Sequence, residues 1–137
     1  MRAIKFRGMI LEEEWVYGNL SILTQKVNNV EAGHYISNSI GLPFAYKVRA
    51  KTVGQFTGLL DKNGKEIYEG DVYRNPNSIG TTKVIFKDGA FMGQYISHEK
   101  DLRNTDIYDA YSAFPINPWC EVIGNIYENP ELLEKKC

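Results

Sequence analysis

Apolar and polar residues alternate with a period of two in short runs along this chain, and turn-forming residues separate the runs. That rhythm marks half-buried β-strands, whose side chains point to opposite faces in turn. From Ala3 to Arg7, Ile4 and Phe6 fall on one side and Lys5 and Arg7 on the other. Trp15 to Leu23 is rich in aromatic and branched residues and predicts a second strand, antiparallel to the first. Glu12-Glu13-Glu14 reads as a solvated turn between them. From Tyr46 to Lys51, Tyr46, Val48 and Ala50 share one face, and Lys47, Arg49 and Lys51 share the other. Thr82 to Lys87 and Phe91 to Ile96 predict a hairpin around Asp88-Gly89, and Trp119 to Tyr127 a last strand.

The densest signal is Thr52 to Tyr73. Asp61-Lys62-Asn63-Gly64 lies between Leu59-Leu60 and the run Lys65 to Tyr68, which predicts a hairpin closed by Gly64 in the left-handed conformation. Asp61 and Asn63 also sit two apart, as ligands of a calcium loop do. That loop places glycine sixth and ends on a bidentate Glu, whereas glycine is fourth here. Glu69-Gly70-Asp71 reads as a turn in which Asp71 bonds local backbone N–H groups. At the end, Asn129 as N-cap, Pro130 in the first turn and Lys135-Lys136 in the last predict a short C-terminal helix. About seven to nine short strands without strand–helix alternation favour a mostly β, small antiparallel barrel or sandwich carrying an N-terminal β-hairpin.

Composition limits the function classes. At 137 residues and 43% hydrophobic content, the chain is long and apolar enough for one folded domain, residues 1–137. Sixteen basic and seventeen acidic residues nearly cancel, which argues against coating nucleic acid through bulk charge. No run approaches the about 20 apolar residues of a membrane helix, and the N-terminus lacks the apolar core of a signal peptide. Cys120 and Cys137 suit a reducing compartment, so a cytoplasmic location is expected.

Reactive chemistry finds little support. His34 and His98 are isolated from any Cys or His at metal-ligand spacing, so no metal or cofactor is expected. Cys120, after Trp119 at a strand start, reads as a small buried residue. No nucleophile elbow, Walker loop or dinucleotide fingerprint occurs, and an enzyme is not expected. Glu66, Glu69 and Asp71 lie close enough to suggest an acid–base pair, but turn and strand roles account for them. The suggestive feature is electrostatic. Lys47, Arg49 and Lys51 form one basic strand face and Lys5 and Arg7 another; brought together by the sheets, the five could track phosphates, with exposed aromatics such as Tyr73 or Tyr46 stacking on bases. The same alternation is how any soluble strand faces water.

Five blocks stand out in order: AIKFRG (residues 3–8), EWVYGNL (14–20), TVGQFTGLLDKNGKEIYEGDVY (52–73), KVIFKDGAF (83–91) and EVIGNIYENPELL (121–133). Together they resemble the YopX family of bacteriophage and prophage proteins. The resemblance spans nearly the whole chain, except that residues 24–51 and 95–118 match poorly and read as variable insertions. It implies an SH3-like barrel and a phage or prophage origin, with no activity and no catalytic residues to carry over. The expected role is binding or scaffolding, through self-association or a host or phage protein. Nine tyrosines, six phenylalanines and two tryptophans support it, with Tyr108, Tyr111 and Phe114 as the candidate contact surface. Weak nucleic-acid binding through the basic face is the alternative.

Overall fold

The computed structural model describes residues 3–38, 44–77, 80–96 and 113–133. They are mostly β and form antiparallel sheets in two compact units, residues 1–58 and 59–137. In the first unit, β1 (Phe6–Met9), β2 (Trp15–Leu23), β3 (Gly33–Asn38), β4 (Ala45–Val48) and β5 (Gly54–Leu60) lie in the order β4-β3-β2-β1-β5. The strand β5 runs on past Gly58 and turns into β6 (Glu66–Tyr68). In the second unit, β7 (Asp71–Arg74), β8 (Thr81–Lys87), β9 (Ala90–Ile96), β10 (Ala113–Phe114) and β11 (Glu121–Asn125) lie in the order β10-β9-β8-β7-β11.

The turns form where local chemistry places them. Gly64 has φ 81°, and the Asp61 N–H donates to Lys65 O at 2.8 Å, closing the expected hairpin. Asp88 (φ 52°) and Gly89 (φ 82°) join β8 to β9 with Lys87 opposite Ala90. Asn28 and Asn29 both take positive φ inside the Val27–Val30 bridge, so β2 returns as β3. Glu12, Glu13 and Glu14 are exposed in the β1–β2 turn, where the Ile10 N–H donates to Glu14 O at 3.0 Å.

Several expectations need correction. The strand β1 starts at Phe6, and its polarity is reversed: Ile4 is 64% exposed, whereas Arg7 is 5% exposed. Pairing is the reason, because Arg7 sits centrally between Tyr17 of β2 and Gly54 of β5. The stretch Tyr46 to Lys51 is not one strand. It ends at Val48, and Ala50–Thr52 is a 3-10 turn whose Thr52 N–H donates to Arg49 O. Within residues 24–51, β3 and β4 pair in the sheet. No closed barrel forms among the described residues. The end of β4 does curl back to β1, where the Arg49 N–H donates to Met9 O at 2.9 Å, but the 3-10 turn follows at once and no ladder develops. At the C-terminus the described part is a 3-10 turn, Pro130–Leu133, held by the Leu132 N–H on Asn129 O.

Each unit buries its own apolar residues. Ile36, Val48 and Met9 are buried in the first. In the second, Ile67, Tyr73, Val84, Ile116 and Cys120 cluster, with Phe91 and Val122 packed against them. The aspartate of the β5–β6 turn ties this core to its sheet edge: Asp61 Oδ2 accepts the Val122 N–H at 3.0 Å, and the Lys62 N–H donates to Cys120 O at 2.9 Å. The first of these bonds lies on the free edge of β11 and the second just before that strand begins, so the start of this edge is covered.

Candidate functional site

The five expected cations are not gathered on one strand face. Lys47 is exposed on β4, Arg49 follows the strand, and Lys51 lies in the 3-10 turn. The Arg49 Nη2 donates to Leu11 O at 3.1 Å, which holds that guanidinium against the β1–β2 turn. Arg7 is buried with its guanidinium 4.5 Å from the centre of the Trp15 ring, and the Lys5 ammonium lies 5.4 Å from that of Phe56. Of the expected contact residues, Phe114 is half-buried on β10, while Tyr108 and Tyr111 lie outside the described residues.

The carboxylates and the thiol are engaged in the scaffold. Asp71 is 1% exposed and its Oδ2 accepts the Tyr68 N–H at 2.8 Å, the local bond expected of it. Glu66 accepts the Tyr68 hydroxyl at 3.1 Å. Burial, then the negative charge of Asp61, pushes the Cys120 thiol up to about 11, so it stays protonated at neutral pH. Tyr73, expected as an exposed ring, is 0% exposed in the core, and burial raises its phenol well above its ordinary value. His34 is half-buried on β3, and His98 lies outside the described residues. Among the described residues, no three His, Cys, Asp or Glu side chains gather where they would hold a metal ion. No described helix is long and apolar enough to cross a membrane.

Clefts exist in both units. In residues 1–58, a cleft of about 410 Å³ is lined by Glu14, Trp15, Val16, Tyr17, Ile36 and Tyr46. Tyr17 and Tyr46 expose nearly half their surface, and Phe44 more than half. In residues 59–137, a cleft of about 220 Å³ lies beside Arg74, Asn77 and Trp119, and the Lys62–Glu121 ion pair (2.9 Å) lines it. Trp119 is 70% exposed there. It is displayed by a turn: Asn117 Oδ1 accepts the Trp119 N–H at 2.8 Å, and Asn117 O accepts the Cys120 N–H at 3.1 Å. Neither cleft was legible beforehand. The one signal was Asn117-Pro118, a turn-starting pair, which argues against Trp119 as a strand residue.

The sequence profile of the YopX protein family matches residues 5–134. The chain belongs to the YopX family. Among solved structures, it is similar to the crystal structure of protein EF1440 from Enterococcus faecalis, with a TM-score of 0.51 and 26% identity. That similarity covers 98% of this chain and 100% of the other, so it concerns the fold from end to end. The description of that neighbour names no activity. No curated protein matches the chain.

Proposed function

We propose that this YopX-family chain is a phage- or prophage-encoded binding or scaffold protein of the bacterial cytoplasm, acting by protein–protein contact rather than by catalysis. The observation that carries the reading is the exposed aromatic residues of the first unit, Tyr17 and Tyr46, which line an open cleft, together with exposed Phe44. Rings with an apolar body and a polar tip favour interfaces, because both ends find partners there. Self-association is the leading form. The SH3-like relationship belongs to the same proposal, supported by the consecutive antiparallel strands β7, β8 and β9.

Light scattering after size exclusion tests it. A mass above that of one chain at micromolar concentration, reduced by Tyr46→Ala, is expected. A single-chain mass across the whole concentration range retires self-association. The second reading is weak nucleic-acid binding, which keeps one specific support: Lys47, Arg49 and Lys51 are all exposed within residues 47–51.

A further inference from the structure

The larger of these two clefts combines aromatic rings open to solvent with an acidic lining residue, Glu14. Tyr17 and Tyr46 are 45% and 47% exposed, whereas Ile36 beside them is 1% exposed. Glu14 lines the same space, at the end of the turn that also carries Glu12 and Glu13. None of these three glutamates makes an ion pair among the described residues. Arg49 reaches the turn, but its guanidinium donates to the Leu11 carbonyl. The turn therefore keeps an excess of negative charge. Arg7 does not line the cleft; it is buried against Trp15, and that stacked pair already matches a cation to a ring on this sheet.

The chemistry of the walls restricts the occupant. An apolar group would cover the tyrosines and Val16 but would strip water from Glu14 with nothing in return. An anion, including a nucleic-acid phosphate, would meet Glu14, with Glu12 and Glu13 in the same turn. A long cationic side chain satisfies both parts, because its methylene stem covers apolar rings while its charged head meets ring faces and a carboxylate. We propose that this cleft receives a lysine or arginine side chain presented by a partner protein. The proposal deepens the binding reading and rests on it, since it names the partner's chemistry at that surface.

The test is an amide-resolved NMR titration of the full chain with N-acetyl-lysine N-methylamide. N-acetyl-norleucine N-methylamide, which keeps most of the stem and lacks the ammonium, is the control. The expected result is saturable shifts at the amides of Val16, Tyr17 and Tyr46, with the norleucine compound about fivefold weaker. Glu14→Gln should weaken the lysine compound and leave the norleucine compound unchanged, while Tyr46→Ala should weaken both. Glu14 and Tyr46 are exposed, and the dispersion of each variant's own spectrum reports that it has folded. Absence of shifts at these amides, or equal response to the two compounds, overturns the assignment. Light scattering on the same samples separates the two ideas. A mass above one chain without a lysine response overturns the cleft assignment and leaves the binding reading standing. A lysine response in a monomeric sample supports the cleft and retires self-association.

Discussion

Asp61 shows how much one side chain can hold. Its Oδ1 accepts the N–H groups of Asn63 (2.8 Å) and Lys65 (2.9 Å), and its Oδ2 accepts that of Val122 (3.0 Å). Burial pushes its carboxyl up, but the bonds to Val122, Lys65 and Asn63, helped by the Lys65 charge, outweigh it and lower the pKa below 3.8. A depressed folded pKa gives stability that is complete above the unfolded pKa and is lost as pH falls through the folded one. Urea midpoints should therefore decline as the pH drops below about 4, and Asp61→Asn should flatten that decline. At neutral pH the substitution should cost about 2 kcal/mol, because charged acceptors make the stronger hydrogen bonds. An unchanged pH profile in the variant would show that the acid sensitivity arises elsewhere. The turn bonds were legible, since Asp before Asn-Gly bonds its own backbone. The bond to Val122 was not, because it joins residues 61 positions apart.

Glycines act on whole elements for different reasons. Gly64 has φ 81° and open space around its Cα, so Gly64→Ala meets only backbone strain of about 1 kcal/mol. Gly8 in β1 has no such φ, yet a Cβ there would stand 2.8 Å from Val48 Cγ2, where β4 curls back. Gly8→Ala should cost about 1–3 kcal/mol through overpacking. Val48→Ala should relieve part of that cost and none of the Gly64→Ala cost. Urea unfolding of the single and double variants measures both couplings, and equal couplings would contradict the steric account. The role of Gly64 was readable from its neighbours. That of Gly8 was not, because a bend in β1 and a close approach by β4 leave the same mark in one sequence.

At the scale of the whole molecule, the cations decide how strongly a polyanion can bind. The chain carries a net charge of −1, Arg7 is buried, and Lys5 is half-buried over Phe56. Only Lys47, Arg49 and Lys51 of the expected set are exposed. Three phosphate contacts on duplex DNA correspond to a log–log salt slope of about −3 at most. Fluorescence anisotropy with labelled duplex DNA across a salt series should give a slope no steeper than this. A much steeper one would reveal cations outside the expected set. The open sheets follow from the same scale, because the curl of β4 toward β1 yields one backbone bond before the chain leaves in the 3-10 turn.

By itself, the sequence determined where the hairpins turn and, without their bounds, most of the stretches that extend. Asn28-Asn29, Asn63-Gly64 and Asp88-Gly89 act through local φ preferences, and period-two alternation is written in adjacent residues. Tertiary structure alone decided which face of β1 goes inside, that Arg7 stacks on Trp15, that Asp61 occupies the edge of β11, and that Trp119 stands in solvent. Each of these depends on contacts or on solvent access across the folded chain, and an alternating pattern is unchanged when its strand is turned over.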